Sequence, residues 1–173
     1  MKLAYADPPY FGMGKKMYGK LHPDAAIWDD KQSHINLMFK LQVGYDGWAL
    51  SCNSKDLKWL LPEAPEDTRL AVWLKPFANW RPNYRVQYTW EPIIFKPARP
   101  KKGYQKGTES VRDHLVCNIA LKKGLSGAKP DAFNDWILEL LNYEPEDEMI
   151  DLFPGTNGMA EAISRIENRL NLG

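Results

Sequence analysis

The sequence predicts an α/β fold on a parallel-type sheet, and three observations point there. Short apolar runs bounded by Gly and Pro alternate with stretches of helical periodicity, the order in which helices cross between parallel strands. Two of those runs end in turns dense in Pro and Gly, the place where open α/β sheets hold ligands. At 173 residues the chain is long enough for one real core, and it shows no repeat or linker, so 1–173 is expected to be a single domain.

The elements follow in order. Residues 3–6 (Leu-Ala-Tyr-Ala) are predicted to be a buried strand. Residues 11–28 are rich in Gly, Lys and aromatics without periodicity, and are expected to be a mobile loop able to close over substrate. Asp29 or Asp30 can cap a helix over 31–43, with Ile35, Leu37, Met38, Leu41 and Gln42 spread around it. Residues 47–52 are a second strand. Ser54 is expected to cap a short helix carrying Leu57, Trp59, Leu60 and Leu61, ended by Pro62 and Pro65. Residues 68–74 form a third strand and 88–96 a fourth, where Pro92 signals a bulge or a sheet edge. After a basic irregular stretch over 97–110, a helix runs from Lys129-Pro130 to Tyr143 with Phe133, Trp136, Ile137, Leu140 and Leu141 on one stripe. Residues 148–153 are the last strand. A tight turn then enters a final helix over 159–170, with Ile163, Ile166 and Leu170 facing inward.

Composition bounds the function. The net charge is +1, so no global field draws the protein to nucleic acid or to a membrane, and any nucleic-acid contact must be local. Candidates are Lys15 and Lys16 in the 11–28 loop, Arg81 and Arg85 near Trp80 and Tyr84, and Lys101 and Lys102 within the basic stretch that also holds Arg99 and Lys106. No apolar run approaches a membrane span, and no signal peptide is evident. Cys52 and Cys117 are far apart, which suits a reducing, cytoplasmic setting. His22, His34 and His114 have no metal-ligand spacing with each other or with the cysteines, and no metal is expected. Asp24, Asp29 and Asp30 are expected to be caps and solvated charges.

Two segments carry chemistry. Asp7-Pro8-Pro9-Tyr10 closes the first strand. A carboxylate and a prolyl-peptide carbonyl both accept from an exocyclic N–H2 group. The two prolines stiffen the turn, and Tyr10 offers a ring for a base to stack on. Asp151-Leu152-Phe153-Pro154-Gly155-Thr156-Asn157-Gly158 is a strand, a glycine turn and a helix start, suited to a nucleoside-type cofactor. It has neither the dinucleotide glycine spacing nor the lysine of a phosphate loop.

Together these segments resemble the amino-group DNA methyltransferases that use S-adenosylmethionine: a strand ending Asp-Pro-Pro-Tyr, a Lys-Pro (Lys129-Pro130) before a helix, and a strand ending Asp-x-Phe-x-Gly-(Thr/Ser)-x-Gly. The catalytic segment precedes the cofactor segment, the circularly permuted order of many adenine-N6 and cytosine-N4 enzymes. Trp73, Lys75, Trp90 and Glu91 also look like the permuted adenine methyltransferases that include the eukaryotic messenger-RNA enzymes and their bacterial and phage relatives. The resemblance implies a Rossmann-like methyltransferase fold, a mostly parallel seven-stranded sheet with helices on both faces. It implies that Asp7 and the Pro8 carbonyl, with Pro9 and Tyr10, hold the target amine. It also implies that Ala6, Asp7, Lys129, Pro130, Asp151, Leu152, Phe153, Pro154, Gly155, Thr156 and Asn157 bind S-adenosylmethionine.

Such enzymes continue past the glycine turn into a strand whose terminal acid bonds the cofactor ribose. Residues 159–173 fit one helix, so the fold is expected to be shortened at its C-terminus, with a homodimer or partner subunit completing the site. No separate target-recognition domain is expected. The implied reaction is methyl transfer to adenine N6 in DNA, in a bacterial or phage-infected cytoplasm; Asp at the first position leans away from cytosine N4. RNA adenine is an alternative substrate, and a non-catalytic nucleic-acid-binding subunit is the alternative from another class. A protein-amide methyltransferase usually carries Asn at the first position, so Asp7 disfavours it.

Overall fold

The computed structural model describes residues 1–20, 22–77, 82–99, 110–120 and 128–171. Their strands are β1 (Lys2–Ala6), β2 (Gly47–Ser51), β3 (Arg69–Leu74), β4 (Trp90–Lys96), β5 (His114–Val116) and β6 (Glu148–Asp151). They form one sheet in the order β5-β3-β4-β2-β1-β6. β1 pairs in parallel with β2 and β6, and β3 with β5; β4 runs antiparallel to both β2 and β3. The mostly parallel α/β sheet is as the sequence predicts. The described residues hold six strands, where the resemblance implies seven for the fold, and β5 was not foreseen: three residues with His at the head offer almost no apolar signal.

The apolar strands are continuous because both sheet faces are covered. Leu3 and Tyr5, Ala49, Ala71 and Trp73, Ile93 and Phe95 point to one face, under α3 (Asp131–Leu141) and α4 (Gly158–Asn171), where Phe133, Trp136, Ile137, Leu140, Leu141, Met159 and Ala162 meet them. Ala4 and Ala6, Trp48, Leu50 and Ile94 point to the other, under α1 (Lys31–Gly44), which buries His34, Leu37, Met38 and Leu41 at helical spacing. Asn142 ends α3 in the left-handed region (φ 57°), its N–H returning to Glu139 and Leu138.

Several local expectations need correction. Pro92 lies at neither an edge nor a bulge: β4 is interior, and Pro92 pairs with Val72. Pro92 sits beside the end of β2: Ser51 pairs with Ile93, and the next residue, Cys52, donates its N–H to the Pro92 carbonyl at 3.2 Å, a bond that needs no N–H from the proline. Residues 11–28 are not without local structure. They form a π-helical turn, Gly14–Tyr18, and a 3-10 helix, Pro23–Asp29. Asp30, not Asp29, caps α1 by accepting from the Ser33 N–H. Asn53 rather than Ser54 caps the next turn, accepting from Lys55, and the short helix α2 (Leu57–Leu60) runs on through Pro62 as a further 3-10 turn. The last strand stops at Asp151, two residues short of the predicted end.

Candidate active site

The site is set by register. β1 and β6 are parallel neighbours with Tyr5 opposite Asp151, and the Leu152 N–H donates to the Tyr5 carbonyl at 2.9 Å. Both strands therefore release their chains at the same level, at their carboxyl ends. Residues 7–10 leave β1 as residues 152–158 leave β6. Between them lies a cavity of about 690 Å³. The β1 side of its wall is Tyr5, Asp7 and Pro9; the β6 side is Asp151, Leu152, Phe153, Pro154, Gly155 and Thr156. Lys129 and Asn134 close the α3 side, and Gly158 and Met159 the start of α4. Tyr18, His22, Pro23, Asp24, Ala25 and Trp28, from the segment joining β1 to α1, close the remainder.

Gly155 turns with φ 44°, in the left-handed region that favours glycine. Gly158 is required by contact: a Cβ there would stand 2.5 Å from Asn134 Nδ2. Of the residues expected to bind cofactor or substrate, Asp7, Pro9, Lys129, Asp151, Leu152, Phe153, Pro154, Gly155 and Thr156 line this one cavity. Ala6, Pro8, Tyr10, Pro130 and Asn157 do not. Ala6 is fully buried under α1, and Pro130 caps α3. Asn157 is exposed in left-handed backbone (φ 64°), its carbonyl accepting from Glu161.

Beside the cavity stands a closed ionic network that joins four elements. Lys129, just before α3, has its Nζ 3.2 Å from Asp7 Oδ2, 2.9 Å from Glu91 Oε2 and 3.2 Å from the Tyr10 hydroxyl. Tyr10 donates its O–H to Glu91 Oε2 at 2.8 Å. Lys75, just past β3, bonds Glu91 Oε1 at 2.7 Å. Two ammonium groups thus meet two carboxylates. The Lys129 ammonium also sits 5.5–5.6 Å from the ring centres of Tyr10, Trp73 and Phe133.

Burial works to lower the Lys129 pKa, but attraction to Asp7 and Glu91 outweighs it and holds the ammonium well above its usual range. Burial works to raise Glu91, but Lys129 and Lys75 overcome it and hold that carboxyl at about 2. Asp7 shares Lys129 with Glu91, so burial prevails there and its pKa rises. Burial likewise raises Asp151, whose carboxylate accepts from the Phe153 N–H at 3.0 Å. Burial, then Glu91, keeps the Tyr10 hydroxyl protonated as a donor.

The proposed nucleic-acid contacts fare unevenly. Lys15 and Lys16 are exposed on the π turn, and Arg85 is exposed between β3 and β4; none lines the cavity. Arg81, Lys101, Lys102 and Lys106 lie outside the described residues. Arg99 is committed elsewhere, in a two-pronged pair with buried Asp147. Sequence reasoning missed Asn134, Tyr18, His22 and Trp28 as cavity walls; a polar residue on the buried stripe of α3 was the available sign for Asn134. Among the described residues no group of His, Cys, Asp or Glu could hold a metal, and no helix is long and apolar enough to cross a membrane.

Neither a protein-family model nor a curated protein matches the sequence. Solved structures do match in shape. The M1.HpyAVI–SAM complex superimposes with a TM-score of 0.60 at 15% identity, over 96% of this chain and 78% of that one. A second crystal structure of M1.HpyAVI gives 0.58 at 13% identity, over 96% of this chain and 76% of that one. The chain shares the fold of these structures, a Rossmann-like α/β sheet with helices on both faces.

Proposed function

We propose that this protein is an S-adenosylmethionine-dependent methyltransferase acting on the N6 amine of adenine in DNA. One observation carries the reading: Asp7 and the glycine turn at 151–158 line the same cavity. The likeness in fold to a protein solved with SAM supports the choice of cofactor. So does the cavity. Its volume is in the range for small-molecule sites, and it offers apolar walls (Trp28, Phe153, Met159) beside convergent polar groups (Asp7, Asp151, Asn134).

In this reading Asp151, Phe153, Gly155 and Thr156 hold the cofactor, which supplies an electrophilic methyl group when bound. The chain's own residues do the rest. Asp7 accepts from one N–H bond of the adenine amine at the cavity wall, and the resemblance gives the second to the carbonyl of Pro8, which lies beside that wall rather than in it. That favours a tetrahedral nitrogen whose lone pair, otherwise delocalised into the ring, is freed for attack. Once alkylated, the amine is acidic, and a carboxylate oxygen of Asp7 takes its proton; burial has already moved that carboxyl toward proton affinity. Catalysis is mostly alignment and electrostatics. A duplex substrate has to present its base out of the stack. The choice of adenine over cytosine rests on Asp at position 7, and the bacterial or phage-infected cytoplasm on the resemblance alone.

A non-catalytic nucleic-acid-binding subunit is the second reading, favoured by the Lys129–Asp7 pair, which engages the acceptor a substrate amine needs. Transfer of a radiolabelled methyl group to DNA and to RNA, followed by nucleoside analysis, decides. Label in N6-methyladenine, abolished in Asp7→Ala, is expected. Label on cytosine or RNA would move the substrate to those alternatives. Transfer that persists undiminished in Asp7→Ala would remove Asp7 from the chemistry, and no transfer to any acid would favour the binding subunit.

A further inference from the structure

The segment between β1 and α1 is built to form a fixed wall of the cavity. The Asp29 carboxylate accepts from the Gly14 and Lys15 N–H groups at 2.7 and 3.0 Å, tying the two ends of the segment together. Gly14 packs so closely that a Cβ would stand 2.0 Å from the Ala25 carbonyl oxygen. The Trp28 ring meets Phe153 edge-on at 5.1 Å and His34 at 5.4 Å, docking the segment on the β6 turn and on α1. This strap presents Asp24 to the cavity.

Three acidic side chains line that cavity: Asp7, Asp24 and Asp151. Asp7 is paired with Lys129, and Asp151 accepts from the Phe153 N–H. Asp24 alone of the three is exposed, and no hydrogen bond or ion pair within the described residues engages it. Among those residues no strand lies beyond β6, so no strand tip offers an acid on that side. Gly155, Trp28 and Phe153 line the same cavity as Asp7 and Asp24, the two rings together forming an apolar wall, so a nucleoside-type ligand with its reacting end at Asp7 shares the cavity with the strap. Its vicinal hydroxyls then need an acceptor on the strap side, and a carboxylate accepts two hydroxyl donors at once.

Resting on the cofactor reading above, we propose that Asp24 on the strap binds the ribose hydroxyls of the S-adenosyl ligand, so that the N-terminal half of the chain completes the site in cis. His22, on the same wall, flanks the position without being needed for it. The segment read from sequence as a loop over the substrate is in this account a wall of the cofactor site.

Calorimetric titration of the full chain and of Asp24→Asn tests this with S-adenosylhomocysteine, S-adenosylmethionine, 5′-methylthioadenosine and the 3′-deoxy analogue of S-adenosylhomocysteine. Asp24 is exposed, so the variant is expected to melt with the parent. Expected is a loss of about tenfold or more for S-adenosylhomocysteine in Asp24→Asn, since hydrogen bonds to a charged group are among the stronger ones. An equal loss is expected for methylthioadenosine, which has no amino-acid end. The 3′-deoxy analogue should bind the parent more weakly and lose less in the variant, since only its 2′-hydroxyl is left to meet Asp24. Parent binding with Asp24→Asn within twofold would overturn the assignment while leaving the cofactor reading intact. A loss confined to the cationic S-adenosylmethionine would overturn it too, since Asp24 would then act on the sulfonium. A parent chain that binds none of the four would end both readings.

Discussion

Lys129 holds its ammonium 3.2 Å from a carboxylate oxygen of Asp7, bringing the lysine before α3 onto the acid that ends β1 across more than a hundred residues of chain. The pair is not isolated, because Glu91 competes for the same ammonium at 2.9 Å and is itself held by Lys75 at 2.7 Å. Asp7 therefore receives only part of the lysine's attraction. Burial leaves it closer to protonation than an ordinary carboxylate, which suits a group that must accept twice, first a hydrogen bond and then a proton.

Replacing Lys129 with Met tests that balance. The apolar cage of Tyr10, Trp73 and Phe133 can take a thioether, so the variant is expected to fold. At Asp7 burial raises the pKa and Lys129 opposes it, while Glu91 adds to the rise. Without the ammonium the two largest remaining influences, burial and Glu91, both raise it, opposed only by the smaller Tyr10 hydrogen bond. The acid limb of the methyl-transfer pH profile should move to higher pH in Lys129→Met, with a lower plateau. An acid limb that stays in place would separate Lys129 from the titration of Asp7.

Glu91→Gln should cost stability in a pH-dependent way. The carboxyl sits at about 2 in the folded protein against an ordinary 4.5, so its contribution is fully present above about pH 5 and is lost as pH falls through 4.5 toward 2. Glu91 is largely buried, with its side chain 19% exposed, and its removal leaves Lys75 without its partner. The expected loss is about 2 kcal/mol at pH 7, from charge-assisted hydrogen bonds and a stranded ammonium. Urea unfolding at pH 7 and pH 3 checks this: the gap between parent and variant should be widest at pH 7 and narrow at pH 3. A constant gap would mean that the carboxylate's charge is not what Glu91 contributes.

What could be read from sequence, and what could not, follows from how local each feature is. The first and last strands, the stripe on α3 and the glycine turn are carried by contiguous residues, and they stand where expected save that β6 ends two residues early. The pairing of β1 with β6 joins segments about 145 residues apart; it was inferred from the resemblance rather than from any residue pattern. Glu91 and Lys75 were noticed only as part of that resemblance, because their meaning lies in a partner on another strand. From sequence the strap reads as a mobile loop over the substrate, and its fixed order was not foreseen. Its order comes from the Asp29 carboxylate reaching back to Gly14 and from Trp28 docking on Phe153, neither of which leaves a period in the sequence. Pro92 misled for a related reason: its tolerance depends on where β2 ends, not on its own strand.

Arg99 illustrates the same lesson and yields a final prediction. It belongs to a basic stretch that suggests a phosphate track, yet both its terminal nitrogens are engaged by Asp147 at 2.7 and 2.8 Å, and one also donates to the Asn142 carbonyl. Asp147 is 1% exposed and accepts from the Glu144 N–H as well. The Arg99 hydrogen bonds hold its carboxyl well below the usual range. This pair pins the end of β4 to the loop between α3 and β6, beneath the strand that carries Asp151. Arg99→Ala leaves the buried Asp147 carboxylate with only the Met1 ammonium at 2.7 Å and the Glu144 N–H, and should cost about 2 kcal/mol at neutral pH. Because the folded-state pKa of Asp147 is depressed, that contribution is present above the ordinary carboxylate range and fades as pH falls below it, so the deficit should shrink in acid. DNA affinity, measured by fluorescence anisotropy at a temperature where the variant is folded, should stay within twofold of the parent, with an unchanged salt slope. A salt slope reduced by about one unit with stability intact would return Arg99 to the phosphate backbone and make its contact with Asp147 incidental.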